Sequence, residues 1–163
     1  MNKAGNFAKK GGINMFKDAI GKRSPGVKNV VERGAVKKFA ESIGDLHPIF
    51  IDEEFAKTTR YKKNIAPPTF PRVFDYGVID ELALPAKGLI HGEQKYHYKR
   101  PLLVGEEIIC YQEVEDYYEK QGKLGNMGFL VLKQYGETLN EELIFTAEQV
   151  VIINETVRKV MSI

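Results

Sequence analysis

The spacing of hydrophobic residues changes character halfway along the chain. In residues 34–43 hydrophobic side chains recur at intervals of three and four, which places them on one face of a helix. They are Val36, Phe39, Ala40 and Ile43. Gly44 follows directly, and glycine commonly ends a helix because it adopts the left-handed conformation without strain. The pattern therefore predicts a helix over residues 34–43.

A second, shorter helix is predicted after Asp52. An aspartate is a good N-cap, and the acidic Glu53 and Glu54 that follow it suit the positive end of a helix dipole. Phe55 and Ala56 would continue this helix.

A third, more hydrophobic helix is predicted over residues 69–82. The Pro67-Pro68 pair interrupts the chain, and Thr69 with Pro71 can form a first helical turn. The apolar positions of this segment are Phe70, Val73, Phe74 and Val78. We predict that this helix is buried.

The second half of the chain alternates between apolar and polar residues and is rich in aromatic and β-branched side chains, which favours strands. The runs cover residues 94–100, 108–118, 128–135 and 143–153. In the first run, Tyr96 and Tyr98 share one face and cations occupy the other. We expect neighbouring runs to pair antiparallel.

Helices that precede an antiparallel sheet indicate an α+β domain. If the helix over residues 69–82 covers one face of a curved sheet, the arrangement is that of the hot dog fold. At 163 residues, with 43% hydrophobic and 28% charged residues, the chain is typical of one soluble globular domain.

Composition and charge indicate the compartment in which the protein works and the partners that it contacts. No apolar run approaches the roughly 20 residues that a membrane helix needs. The single Cys110 cannot form an internal disulfide, which favours a reducing, cytoplasmic compartment. Residues 1–40 carry ten Lys/Arg against two acidic residues, but their few aromatic residues do not alternate with the cations in the pattern of many nucleic-acid sites. We therefore predict no contact with nucleic acid or membrane.

The first 14 residues lack acidic residues and apolar periodicity, and we predict a disordered basic tail there. A second methionine, Met15, follows a Lys-Gly-Gly stretch that a ribosome-binding sequence can encode. We hypothesise that translation starts at Met15 and that residues 15–163 form a single domain.

Several kinds of site are excluded by their missing motifs. The chain has no GxGxxG, no GxxxxGK(S/T) and no GxSxG sequence. The histidines His47, His91 and His97 do not have metalloprotease spacing. We predict neither a cofactor nor a metal site.

Residues 39–52 carry the most informative motif, and here the chain resembles the MaoC-like hydratases and dehydratases of the hot dog superfamily. The (R)-specific enoyl-thioester hydratases of this family have the signature G-D-x-N-P-aliphatic-H, whose Asp and His activate the water that adds to the double bond. Asp45, Pro48 and Ile49 match this signature, whereas Phe50 stands at the position of the catalytic His.

Five motifs in order resemble one subgroup, the N-terminal, FAS1-like dehydratase domain. They cover residues 31–34, 45–52, 66–70, 91–94 and 100–102. The resemblance implies hydration or dehydration of an acyl-CoA or acyl-carrier-protein thioester. It also implies an assembly in which one hot dog half holds the Asp/His pair and the other shapes the acyl tunnel.

The resemblance supplies the candidate site residues. Asp45 is the candidate catalytic group, and His91 or the adjacent His47 are substitutes for the missing histidine. The strand pattern places Glu93 on the same face as His91, which allows a His-Glu couple. The candidate substrate-binding residues are Phe50, Pro68, Phe70, Val73, Phe74, Gly92 and Glu93. The cations that can bind carrier phosphates are Lys62, Lys63, Lys95, Lys99 and Arg100.

Phenylalanine has no proton to transfer, and a positioned acid or base is worth on the order of 10² to 10⁴ in rate. The leading hypothesis is therefore an acyl-binding half that works with a catalytic MaoC-like partner. The alternatives are a self-sufficient homodimeric hydratase that uses Asp45 and His91, a non-enzymatic acyl-CoA-binding module and, last, a thioesterase. In each case we expect at least a dimer, because a lone sheet leaves an open edge.

Overall fold

The computed structural model describes residues 14–123 and 125–161. The predicted tail lies outside the described residues, except for Asn14. The helices are α1 (Asn14–Asp18), α2 (Arg33–Ser42), α3 (Pro48–Ile51), α4 (Glu53–Thr58) and α5 (Glu155–Met161), with a 3₁₀ helix at Phe70–Val73. The strands are β1 (Val27–Val30), β2 (Ile90–Tyr98), β3 (Glu107–Gly122), β4 (Gly125–Thr138) and β5 (Leu143–Ile153).

The five strands form one antiparallel sheet in the order β1-β3-β4-β5-β2. All four predicted strands are present, and β5 has the predicted bounds. The expected pairing of neighbouring runs is correct for β3, β4 and β5. It is wrong for β2, which pairs with β5 at the far side of the sheet because β1 and β4 occupy both sides of β3.

The two short predicted helices are confirmed, and both have the local capping that the sequence indicates. Asp52 accepts hydrogen bonds from the backbone N–H groups of Glu54 and Phe55 at the start of α4. Gly44 follows α2 with a φ of +73°, in the left-handed region.

The long helix predicted over residues 69–82 is absent. Only Phe70–Val73 is helical, and the following residues have no regular structure. The side-chain amide of Asn29 accepts from the backbone N–H of Asp75 at 2.9 Å and donates to its carbonyl at 2.8 Å. These bonds occupy the backbone N–H and C=O of Asp75, which a helix would pair within itself. Gly77, with a φ of +69°, then turns the chain out of any helical path.

The core lies in two clusters of buried residues. Cluster 1 contains Val31, Val36, Ala40, Phe50, Ala66, Phe70, Tyr76, Leu102, Ile108, Cys110, Ile144 and Phe145. Cluster 2 contains Phe16, Ala19, Ile79, Leu82, Val114, Tyr117, Leu130, Leu132, Val151, Ile153 and Val157. The short helices and the irregular segment after the 3₁₀ helix therefore cover the sheet in place of one long central helix.

Candidate functional site

The loop between α2 and α3 presents Asp45 to solvent. The backbone N–H of Asp45 donates to Ala40 O at 3.0 Å, which fixes the turn after Gly44. One Asp45 carboxylate oxygen accepts from the backbone N–H of His47 at 3.3 Å. Asp45 is exposed, so most of the hydrogen-bonding capacity of its carboxylate faces outward.

His47 has a structural task in this loop. Its Nδ1 accepts the backbone N–H of Ile49 at 3.1 Å and so caps α3. The ring also lies edge-on to the rings of Phe50 and Phe55, at 6.0 and 5.7 Å between centroids. The Nδ1 atom must be unprotonated to accept this bond, which leaves Nε2 as the free position of the ring.

Phe50 points into cluster 1 and is 8% exposed. The residue at the signature position of the catalytic histidine is therefore part of the hydrophobic core. Nothing in its side chain can accept or donate a proton.

His91 and Glu93 do not share a face of β2, which corrects the prediction of a His-Glu couple. A bulge at Gly92 places His91 opposite Val151 and Glu93 opposite Val150. Successive residues of a strand point to opposite faces, so their partners do as well. His91 is exposed but lies on the same face as Val151 of cluster 2, whereas Glu93 lies on the outer face with Val150.

The candidate residues of the 3₁₀ region have different surroundings. Phe70 is 1% exposed in cluster 1, and Phe74 is half-buried and stacks on Phe145 with 6.3 Å between centroids. Val73 is 54% exposed and contributes to the outer surface. Pro68 is exposed, and its carbonyl accepts the hydroxyl of Tyr98 at 2.7 Å.

A cavity of about 350 Å³ opens between Pro68 and the end of β2. We call it the Tyr98 cavity, and its lining residues are Arg60, Tyr61, Ile65, Ala66, Pro68, Tyr98, Lys99, Arg100, Pro101 and Leu102. Arg60 and Lys99 are exposed cations at this cavity, whereas Arg100 is held by Glu106 at 2.9 Å. We call Arg60 and Lys99 the cationic rim of this cavity. A cavity with an apolar floor and a cationic rim suits a ligand that has an apolar part and an anionic part.

A second cavity also has a volume of about 350 Å³. Its lining residues are Arg33, Glu53, Lys57, Lys62, Lys63, Asn64 and Val104. Arg33 pairs with Glu53, while Lys62 adopts a φ of +59°, a conformation that costs a non-glycine residue free energy. Two of the predicted phosphate-binding cations, Lys62 and Lys63, line this cavity.

Lys95 lies apart from both cavities. It is on the outer face of β2, within ion-pair distance of Glu93 and Glu148. The predicted cations therefore do not form one group.

Burial raises the pKa of two groups on the inner face of the sheet, the Tyr98 hydroxyl and the Cys110 thiol. Burial is the largest cause of a raised pKa for the Tyr98 hydroxyl, which remains a donor at neutral pH. Burial likewise raises the pKa of the Cys110 thiol to about 12, so this thiol is not a nucleophile.

A row of glutamines crosses the inner face of the sheet, a feature that no pattern within a single segment of the sequence indicates. The glutamine row consists of Gln94 on β2, Gln112 on β3, Gln134 on β4 and Gln149 on β5. Gln94 lies opposite Gln149, and Gln112 lies opposite Gln134, in the strand register. On β5, Gln149 stands between Phe145 of cluster 1 and Val151 of cluster 2. The row therefore separates the two apolar clusters.

Two kinds of site are not found in the described part of the chain. Residues 14–123 and 125–161 contain no group of three His, Cys, Asp or Glu side chains that could hold a metal ion. Within the same ranges, no helix is long and apolar enough to cross a membrane.

Known proteins are similar to this chain in sequence and in fold. A UPF0336 protein of Thermobifida fusca (strain YX) is 30% identical over 128 residues, which is 75% of this chain and 82% of that protein. One solved structure is the C-terminally truncated HadBC (3R-hydroxyacyl-ACP dehydratase) complex from Mycobacterium tuberculosis. It superposes with a TM-score of 0.71 at 23% identity, over 83% of this chain and 98% of the other. The (R)-hydratase from A. caviae involved in PHA biosynthesis gives a TM-score of 0.61 at 25% identity, over 81% and 94% of the two chains.

These neighbours and the antiparallel sheet confirm the hot dog fold and the resemblance to MaoC-like dehydratases. The family model that matches the chain is the FAS1-like, dehydratase domain region, and it covers residues 18–147. Since this match includes most of the domain, the chain belongs to the FAS1-like dehydratase domain family.

Proposed function

We propose that the chain is the acyl-binding subunit of an acyl-thioester hydratase or dehydratase that acts on an enoyl or 3-hydroxyacyl thioester in fatty acid metabolism. The observation that carries this proposal is Phe50, which is buried in cluster 1 at the position where the hydratase signature has a histidine. Addition or removal of water needs a group that moves the proton, and this side chain has none.

The missing proton-transfer group would come from a partner subunit. The described sheet ends on one side at β2, a nine-residue edge strand with mostly exposed residues. An edge strand leaves backbone N–H and C=O groups free to pair with another chain. The HadBC neighbour is itself a complex, which supports a heterodimeric assembly for this chain.

In this proposal the chain holds the thioester while the partner performs the proton transfer. The exposed cations Arg60 and Lys99 attract the phosphates of coenzyme A or of the phosphopantetheine of a carrier protein. The apolar inner face of the sheet, beyond Tyr98, receives the acyl chain. No cofactor is needed for this chemistry, and the buried free thiol of Cys110 is consistent with a cytoplasmic location.

One observation favours a second candidate, a self-sufficient homodimeric hydratase. The Asp45 carboxylate is exposed and accepts one long hydrogen bond within its own loop, so it is free to act as a base. His91 would have to complete the site in this case. Its Nδ1 lies 3.4 Å from the Nε2 atom of Gln149, which leaves its other ring nitrogen available.

The test is a hydration assay and a binding titration of the purified chain alone with trans-2-octenoyl-CoA. The proposal expects saturable binding without turnover. Turnover that is abolished in Asp45→Asn and His91→Ala would establish the second candidate instead. If the chain neither binds nor hydrates the thioester, both candidates are wrong.

Sedimentation tests the assembly separately. A chain of 18.5 kDa that pairs through β2 should sediment as a larger species at micromolar concentration. A clean monomer under these conditions would contradict homodimerisation and leave only pairing with a different subunit.

A further inference from the structure

Gln94 carries a buried amide with no hydrogen-bond partner among the described residues. Both its Oε1 and its Nε2 atoms are inaccessible to solvent, and neither is within hydrogen-bond distance of a suitable group. Buried polar atoms in folded proteins nearly always have a partner, because the bonds lost from water must be replaced. An amide with two such atoms therefore requires an explanation.

The other members of the glutamine row do have partners. The Nε2 atom of Gln112 donates to Gly77 O at 2.8 Å and so holds the irregular segment against the sheet. Gln134 donates to Gln149 Oε1 at 3.4 Å, and the Nε2 atom of Gln149 lies 3.4 Å from His91 Nδ1. Gln94 stands directly opposite Gln149 and still takes no part in this chain of bonds. Among the four glutamines of the row, Gln94 is therefore the one whose side-chain amide forms no hydrogen bond with the described residues.

Gln94 lies on the same face of β2 as Tyr98, which lines the Tyr98 cavity. Gln94, Tyr96 and Tyr98 follow one another along the inner face of β2, because alternate residues of a strand share a face. Four residues of extended strand place Gln94 about 13 Å from Tyr98. To reach Gln94 from the cationic rim, a ligand along the inner face of β2 must displace the side chains that cover its amide, because neither amide atom is exposed to solvent.

The unpaired amide also determines which ligand groups could form hydrogen bonds with it. One atom donates and the other accepts, so the matching ligand group must do both. A hydroxyl has this property, as does a secondary amide. A plain hydrocarbon chain has neither group and would leave Gln94 unpaired.

We infer that Gln94 is a specificity-determining residue that hydrogen-bonds a hydroxyl or amide group of the bound acyl thioester. The inference rests on the proposed function. Two parts of such a ligand have the required chemistry: the amides of the pantetheine arm, and the 3-hydroxyl group that is present only in the hydrated acyl chain.

The experiment compares Gln94→Met with the wild type, using Gln112→Met as a matched control. Methionine keeps the length of the side chain and removes its polar atoms. Thermal melting is measured for each protein without ligand. Calorimetric titration then measures the Kd for trans-2-octenoyl-CoA and for (3R)-3-hydroxyoctanoyl-CoA.

Gln94→Met should melt at or above the wild-type temperature, because it loses no internal hydrogen bond and removes a buried unpaired amide. It should also bind roughly tenfold more weakly, the size of one or two neutral hydrogen bonds. Gln112→Met should show the opposite result, a lower melting temperature with unchanged binding, because its amide is used inside the fold.

The two ligands distinguish the source of the polar group. An equal loss of affinity for both ligands assigns the contact to the pantetheine amides, whereas a loss confined to the hydroxyacyl ligand assigns it to the 3-hydroxyl. Wild-type affinity for both ligands, or a melting temperature lowered as in Gln112→Met, overturns the inference alone. A wild-type protein that binds neither ligand overturns the proposed function and, with it, this inference.

Discussion

Arg158 donates a 2.6 Å hydrogen bond to the carboxylate of Glu119 and so ties α5 to β3. The guanidinium is nearly buried, with its side chain 11% exposed, and it also donates to the Tyr117 hydroxyl at 3.1 Å. Charge-assisted bonds of this kind are shorter and stronger than neutral ones. The pair therefore anchors the last described helix on the sheet.

This contact predicts how stability depends on pH. The hydrogen bond from Arg158 is the largest cause of a lowered pKa for Glu119, whose ordinary value is 4.5. Because the folded-state pKa lies below that of the unfolded chain, the stabilisation is complete above pH 4.5 and is lost as the pH falls through the folded-state pKa. Denaturation of the wild type and of Glu119→Gln should therefore differ most at neutral pH and converge in acid. A constant difference at all pH values would contradict this prediction.

The second prediction concerns Phe50. We expect Phe50→Ala to lower the free energy of unfolding by about 3–5 kcal/mol, because it deletes a buried aromatic ring and leaves a cavity in cluster 1. Phe55→Ala is the control, since Phe55 lies in the next helix, α4, and is 38% exposed. Urea denaturation measures both changes. Equal losses in the two variants would mean that Phe50 is not a core residue.

The sequence predicts most of the sheet because period-two alternation is a local signal. Leu143–Ile153 is rich in β-branched residues, which is also a local signal, and its bounds are correct to the residue. β1 was missed because only four residues, Val27–Val30, form it and half of them are polar. The helix predicted over residues 69–82 failed for a different reason. The bonds between Asn29 and Asp75 join residues 46 positions apart, and apolar spacing within one segment does not reveal them.

Fewer features of the candidate site than of the fold could be predicted from the sequence. Asp45 and Phe50 could be identified by their motif, but the glutamine row depends on strand register, which brings four separate strands together. The bulge that separates His91 from Glu93 did have a local signal. An isolated glycine within a strand pattern, here Gly92, is a common sign of a bulge.

The third prediction tests the turn that replaces the expected helix. Gly77 has a φ of +69°, and a Cβ at this position would lie 2.8 Å from the carbonyl oxygen of Pro25. Gly21 has a similar φ of +82° but no atom within 4 Å of the same position. Gly21→Ala should cost about 1–2 kcal/mol from backbone conformation alone. Gly77→Ala should cost more, because the backbone must also move, and equal costs in chemical denaturation would refute the steric argument.

The last prediction concerns the cationic rim of the Tyr98 cavity. Arg60→Gln and Lys99→Gln should each weaken binding of trans-2-octenoyl-CoA about two- to fivefold, the range of a single exposed ion pair. The loss should shrink at high salt, because exposed charges are screened. Lys95→Gln is the matched control, since Lys95 is a cation on the outer face of β2 with acidic neighbours of its own. The octenoyl thioester of N-acetylcysteamine, which has no phosphate, should bind the wild type and the rim variants alike. If the rim variants lose affinity for this neutral thioester too, the cations act through the shape of the cavity and not through the carrier phosphates.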